Sequence, residues 1–282
     1  MNIYNKVDKL QESLRRIHRN GKKIAFVPTM GALHQGHLSL IRHAREISDF
    51  VICSIFVNPT QFNNNEDLKK YPRTLEEDKK MLLSAHCDLL FVPEISDIYP
   101  DGTSLKPELQ LNGVDLVMEG KFRPGHFAGM LQVVKRLLDI VQPDFLIMGQ
   151  KDFQQYSLVA MMIKQLNLPC NLVVSLTVRE EDGLAMSSRN RRLDPDFRKK
   201  SAIIYKALQF AHQNINKLGI EELCSTCSKM IDEEGLRTEY FEIVDSESLQ
   251  PIKYIAESEK IAACVACWAG DVRLIDNLIL KE

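Results

Sequence analysis

A chain of 282 residues is long enough for two domains, each burying its own core. Its formal net charge of −2 gives no electrostatic case for nucleic acid or an anionic membrane, and 45% hydrophobic with 26% charged residues is a globular balance. No apolar run approaches the ~20 residues of a membrane span, and Met1-Asn2-Ile3-Tyr4-Asn5-Lys6 opens no signal-peptide core, so a cytoplasmic protein is expected.

The first clear strand, Lys23 to Val27, runs into Pro28-Thr29-Met30-Gly31-Ala32-Leu33-His34-Gln35-Gly36-His37 and then a helix from Gln35 to Ile47. Two imidazoles three residues apart share a face of a first helical turn, where unpaired N–H groups and the helix dipole favour a polyphosphate. Gly36 between them has no Cβ to keep a phosphate oxygen away from the backbone.

A second strand, Phe50 to Val57, ends at Asn58-Pro59-Thr60-Gln61-Phe62. The two amides suit hydroxyl or carboxylate groups of a small substrate, although Asn-Pro is also ordinary turn chemistry. A helix from Leu75 to His86, a strand from Asp88 to Val92, a helix from Ala128 to Val141 and a strand from Asp144 to Met148 follow. Gly149-Gln150-Lys151-Asp152 then lies between that strand and a helix from Phe153 to Leu166, with a last strand at Asn171 to Ser175. Lys151 offers a point charge to phosphate, while Asp152 either meets ribose hydroxyls or caps the helix.

Near-continuous apolar strands alternating with helices predict an α/β fold, a Rossmann-like doubly wound parallel sheet whose crevice lies at the carboxyl ends of its strands. The polar motifs fall just past those ends. A polar loop, Met186-Ser187-Ser188-Arg189-Asn190, reads as a mobile phosphate clamp or as a solvated connection. Beyond it come a long helix, Pro195 to Lys217, a second, Glu221 to Glu234, and strands at Tyr240 to Val244, Ile261 to Trp268 and Val272 to Leu280. The expected division is residues 1–178 as the Rossmann-like domain and 179–282 as a smaller α+β C-terminal lid domain.

Seven scattered cysteines favour reduced thiols over a disulfide framework. Cys224-x-x-Cys227 and Cys264-x-x-Cys267 imitate a zinc site, but the first pair lies in a helix and the second in a strand, where residues three apart face opposite sides. Buried structural cysteines are the better reading.

Taken together with Tyr71-Pro72-Arg73-Thr74, Arg123-Pro124-Gly125-His126-Phe127, Gln154-Gln155, Tyr240-Phe241-Glu242-Ile243 and Arg273-Leu274-Ile275-Asp276-Asn277, these motifs resemble the pantothenate synthetases (pantoate–β-alanine ligases) of the HxGH nucleotidyltransferase superfamily, nearly end to end. The resemblance implies ATP-dependent condensation of (R)-pantoate with β-alanine through a pantoyl adenylate, releasing AMP and pyrophosphate. It implies catalytic roles for His37, His34 and Lys151, with His37 as proton donor. Met30, Gly31, Ala32, Leu33, His34, Gln35, Gly36 and His37 would form the ATP-binding turn. Gly149, Gln150, Lys151 and Asp152 would hold the α-phosphate and ribose, Val178 would meet adenine through its backbone, and Met186, Ser187, Ser188 and Arg189 would close over the phosphates.

Gln61 and Gln155 would bind pantoate, with Asn58, Arg123 and His126 as further pocket candidates. Arg123-Pro124-Gly125-His126 also fits a surface turn. Mg²⁺ would accompany ATP, with Glu77 and Asp78 as indirect ligands, although both also suit a helix N-terminus. Family likeness further implies a homodimer. Two departures stand out: Gln150 where many relatives carry Glu, and Phe153 where some carry Tyr. Two rival readings stay open, another HxGH nucleotidyltransferase acting on a phosphorylated substrate and a catalytically silent nucleotide-binding regulatory protein. The uncharged Gln61 and Gln155 speak against the first, because a phosphate would call for more Arg or Lys.

Overall fold

The computed structural model describes residues 1–62, 65–103 and 107–281. In chain order the first half comprises β1 (Asn2–Tyr4), α1 (Val7–Arg19), β2 (Ile24–Thr29), α2 (Gln35–Ile47), β3 (Phe50–Ile55), α3 (Asn65–Lys70), α4 (Leu75–Ser84), β4 (Leu89–Phe91) and α5 (Ile95–Ile98). There follow α6 (Glu119–Phe122), α7 (His126–Val141), β5 (Phe145–Gly149), α8 (Phe153–Gln165) and β6 (Asn171–Ser175). The remainder is α9 (Pro195–Lys200), α10 (Ile203–Asn214), α11 (Ile220–Glu233), β7 (Arg237–Asp245), β8 (Ile261–Ala269) and β9 (Val272–Lys281).

Two compact units result. The first comprises Met1–Leu111, Arg123–Gly149 and Gln155–Leu176. The second comprises Thr177–Glu282 together with two earlier segments, Asn112–Phe122 and Gln150–Gln154. A single cut at residue 178 therefore leaves out two short pieces whose partners lie far along the chain, which no local sequence pattern shows.

The first unit holds a six-stranded parallel sheet in the order β1-β4-β3-β2-β5-β6. The chain lays β3 and β4 on one side of β2, then crosses to lay β5 and β6 on the other. The reversal puts the crevice where β2 and β5 end side by side. Ala25 and Val27 of β2 join Val51, Cys53 and Ile55 of β3 in a core with Leu38, Ile41 and Ala44 of α2 and Leu82 of α4. Strand alternation turns Phe26 and Ile52, both fully buried, to the other face. Each such side chain contributes about 2 kcal/mol of burial.

Strand β1 and helix α1 extend the sequence reading at its start. A three-residue edge strand carries too little pattern to stand out, and in α1 only Leu10 and Leu14 are buried. The expected strand from Asp88 to Val92 shortens to β4.

In the second unit β7, β8 and β9 form an antiparallel sheet in that order. One face packs Phe241, Ile243, Val265 and Leu274 against Ala207 and Leu208 of α10 and Leu223 and Ile231 of α11. The long helix expected from Pro195 to Lys217 is a correction: it breaks at Ser201–Ala202 into α9 and α10. The Ser201 hydroxyl donates to the Phe197 carbonyl at 2.6 Å, a back-bond to the helical ladder at the point where it breaks. Cys227 and Cys267 lie in this core, whereas Cys264, three residues from Cys267 on β8, faces the other side of the sheet. Burial pushes the Cys227 and Cys267 thiols up to about 12, so neither is a thiolate near neutrality.

Candidate active site

In the first unit, the turn after β2 is built by its neighbours. The Thr29 hydroxyl donates to the Ser54 carbonyl on β3 at 2.7 Å and accepts the Gly31 N–H at 3.2 Å. Gly31 and Ala32 then adopt left-handed backbone, with φ of 81° and 50°. Ala32 is strained there, and the surroundings must hold it. Asp78, in the first turn of α4 and 1% exposed, does so by accepting the Ala32 N–H at 3.0 Å and the Leu33 N–H at 2.8 Å. The Thr74 hydroxyl donates to the same carboxylate at 3.2 Å. Glu77 beside it is exposed. Asp78, expected as an indirect metal ligand, thus spends both oxygens on protein donors. Among the described residues no group of three His, Cys, Asp or Glu side chains could hold a metal ion.

His34 caps α2 from extended backbone, and its N–H donates to His37 Nδ1 at 3.4 Å. With Nδ1 accepting, a neutral His37 ring carries its proton on Nε2. The two half-buried imidazole rings stand 4.1 Å apart between centroids. No acidic side chain occupies the first turn of α2, whose positive end suits an anion.

The turn after β3 is anchored to α7. Asn58, 1% exposed, donates through Nδ2 to the Gly129 carbonyl at 3.1 Å and accepts the Tyr99 hydroxyl at 2.9 Å and the Thr60 hydroxyl at 3.1 Å. Its carboxamide is engaged with protein, so Asn58 shapes the Pro59–Gln61 turn, the polar-turn reading of this motif. His126 behaves similarly: buried at the start of α7, its Nδ1–H donates to the Gln61 carbonyl at 2.7 Å. What the turn presents is the Gln61 side chain, 8% exposed, whose carboxamide has no hydrogen-bond partner among the described residues. Gln155, half-buried in α8, likewise keeps its carboxamide unpaired among those residues. Arg123 is half-buried just before the Gly125 turn that starts α7. Gly149 ends β5 with no neighbour closer than 4.0 Å to a Cβ added there.

The other expected residues belong to the second unit. Lys151 Nζ lies 3.7 Å from Asp152 Oδ1, the lysine side chain 18% exposed and the aspartate 49%. The Val178 carbonyl accepts the Met186 N–H at 3.0 Å, closing a small hairpin, and the Ser187 hydroxyl caps the Ser188–Arg192 turn through the Arg189 N–H at 3.2 Å. Ser188 is buried and Arg189 half-buried.

Sequence reasoning missed a buried ionic cluster in this unit. Arg273 donates to Glu119 at 2.7 and 2.8 Å and to Glu239, and the Tyr240 hydroxyl donates to Glu119 at 2.8 Å. Burial and the Glu119 charge push the Tyr240 hydroxyl well above its ordinary range. The cluster ties the Asn112–Phe122 segment to the sheet, and Gln154 adds bonds to the Val114 and Val117 carbonyls at 2.7 and 2.9 Å. Residues so far apart in sequence carry no shared local signal.

A family profile described as pantoate-beta-alanine ligase matches residues 2–279. Curated relatives include the pantothenate synthetase of Marinomonas sp., 41% identical over 99% of both chains, and that of Azobacteroides pseudotrichonymphae, 43% identical over the same shares. Among solved structures, a pantothenate synthetase from Thermus thermophilus superposes with a TM-score of 0.93 at 38% identity, covering 100% of both chains. A pantoate-beta-alanine ligase from Francisella tularensis, complexed with beta-gamma ATP and beta-alanine, gives 0.84 at 38% identity over 99% of this chain and 98% of its own. With family, fold and motif order in agreement over its whole length, the chain belongs to the pantoate-beta-alanine ligase family.

Proposed function

We propose that this chain condenses (R)-pantoate with β-alanine, using ATP and releasing AMP and pyrophosphate. The observation that carries the reading is the pair His34 and His37 at a helix N-terminus at the switch point of the sheet, in a chain matching the ligase family from residue 2 to 279. In the first step a pantoate carboxylate oxygen bonds to the α-phosphorus while the bond to the β-phosphate oxygen breaks, giving pantoyl adenylate and pyrophosphate. In the second, the β-alanine amine attacks the acyl carbon, forms the amide, loses a proton and expels AMP. No protein nucleophile is needed, and the residues act by positioning and by stabilising developing charge.

Met30 to His37 bind the triphosphate, and His37 donates a hydrogen bond from Nε2–H to the departing pyrophosphate, stabilising the charge that develops there. Gly149, Gln150, Lys151 and Asp152 serve the α-phosphate and ribose, Val178 the adenine, and Met186 to Arg189 the phosphates. Gln61 and Gln155, whose carboxamides lack protein partners among the described residues, take pantoate, with Arg123 as a further candidate for that pocket. Magnesium would enter with ATP as part of the substrate and would offset the phosphate charge there. Asp78 does not fit as its ligand, since its oxygens serve Ala32, Leu33 and Thr74. Family likeness supports a homodimer and a cytoplasmic location; among the described residues no helix is long and apolar enough to cross a membrane.

Exchange of labelled pyrophosphate into ATP isolates the first step. It is expected to require pantoate and no β-alanine, and to fall by about 100-fold or more in His37→Ala with the fold intact by circular dichroism. Exchange that needs β-alanine, or is indifferent to pantoate, would contradict the adenylate route.

A further inference from the structure

Asp276 and Asn277 are consecutive residues of β9, so their side chains leave opposite faces of the strand. Both are buried, at 4% and 1% exposure. Asn277 Nδ2 donates to the Gln150 carbonyl at 3.0 Å and the Lys151 carbonyl at 2.9 Å. Two facing acceptors fix which end of the carboxamide points at them. Its Oδ1 is buried with no hydrogen-bond partner among the described residues, so it is the donor end that the position uses.

On the other face, Asp276 takes Arg179 in a two-pronged pair at 2.5 and 3.1 Å. Arg179 also donates to the Gly183 carbonyl at 3.1 Å, and its guanidinium lies 3.8 Å from the centroid of the Tyr205 ring. Gly183 has φ of 91°, and a Cβ there would meet Tyr205 Cδ1 at 2.5 Å, so the hairpin tip sits directly on that ring. The hairpin is closed by Glu180 N–H to Leu184 carbonyl at 2.8 Å and by Met186 N–H to Val178 carbonyl at 3.0 Å, and it leads straight into Met186-Ser187-Ser188-Arg189.

We propose that Asp276 and Asn277 are positioning residues for both ATP-binding segments of the second unit: Asn277 holds the Gln150-Lys151 backbone, and Asp276, through Arg179, holds the Val178–Met186 hairpin. One dipeptide registers two segments that are far apart in sequence against a single strand. The proposal rests on the assignment of Lys151 and the Met186–Arg189 loop to ATP made above. Neither Asp276 nor Asn277 touches the nucleotide in this account, and each acts through the backbone it holds.

The test is a double-mutant cycle with full steady-state kinetics. Lys151→Ala is expected to lower kcat/KM for ATP strongly. Asn277→Ala is expected to lower it at least tenfold with the KM for β-alanine unchanged, and Asn277→Ser, which keeps one donor, to restore part of the loss. The double variant Lys151→Ala/Asn277→Ala should then be no worse than Lys151→Ala alone, because Asn277 has nothing left to position. Independent, multiplying losses, or an Asn277→Ala enzyme at the wild-type rate, would overturn the proposal. A Lys151→Ala enzyme at the wild-type rate would overturn the lysine assignment itself, and the two failures are told apart by the single variants. Should Asn277→Ala not fold, Asn277→Ser against Asn277→Asp gives the same comparison, since the carboxylate would set a charged oxygen against two carbonyls. For the other face, Asp276→Asn should raise amide hydrogen exchange across residues 178–189 at least tenfold and leave residues 150–152 protected. Equal exchange in both enzymes would remove Asp276 from the proposal.

Discussion

Asp78 accepts the N–H groups of Ala32 and Leu33, the two residues between the left-handed turn at Gly31 and the helix cap His34. A carboxylate from another helix therefore fixes where both imidazoles begin. In sequence Asp78 sits in a run of three acids at a helix start, which reads as helix-dipole chemistry or as a metal ligand; its partners lie 45 and 46 residues away. Asn58 was legible as a polar residue at a turn, but its engagement with Tyr99 and Gly129 depends on tertiary contacts at separations of 41 and 71 residues. The histidines and Gln61 could be singled out as candidates by residue type and by place after a strand, whereas Gln155 came only with the family resemblance. Replacing Asp78→Asn sets an amide NH₂ against a backbone N–H, leaving a buried donor unsatisfied at a cost of about 1–3 kcal/mol. Urea denaturation should show that loss in the first unit, and the KM for ATP should rise more than that for β-alanine. An unchanged midpoint and KM would show that the turn holds its shape without the carboxylate.

Helix α7 is apolar on nearly all sides, with Phe127, Met130, Leu131, Val134, Leu137 and Val141 all buried, as expected of a helix enclosed by its unit. Its periodicity announced the helix, but not which residue the Pro59–Gln61 turn would rest on. That residue is Gly129: a Cβ there would stand 2.0 Å from the Thr60 carbonyl oxygen. Intrinsic helix propensity favours alanine over glycine by ~1 kcal/mol, so a loss on Gly129→Ala would have to come from the contact. The substitution should force the turn away from α7, lowering stability by about 1–3 kcal/mol as overpacking does. Because Gln61 rides on that turn, the KM for pantoate should rise at least about tenfold, equivalent to ~1.4 kcal/mol. Thermal melts and pantoate titrations check this, and a more stable variant with normal pantoate affinity would mean that the close approach is not needed. The α9–α10 break shows the same limit of pattern reading, since the apolar period continues through Ser201 and the helix is interrupted there, where its hydroxyl back-bonds to Phe197.

At the scale of the whole molecule, the alternation of apolar strands and helices was enough to give a parallel doubly wound sheet, and the strand order places the motif-bearing ends of β2 and β5 side by side. What the pattern could not give is the way Asn112–Phe122 and Gln150–Gln154 join the C-terminal sheet, because Glu119, Arg273, Gln154 and Asn277 meet only in three dimensions. The family match and the fold agree on one chemistry. The most direct measurement is release of AMP and pyrophosphate from MgATP by the purified protein, with D-pantoate and β-alanine each omitted in turn. The account predicts sustained, stoichiometric AMP and pyrophosphate release only when both are present, with pantothenate as the product. Sustained release that does not require β-alanine, or none with both substrates and a folded, ATP-binding protein, would contradict it.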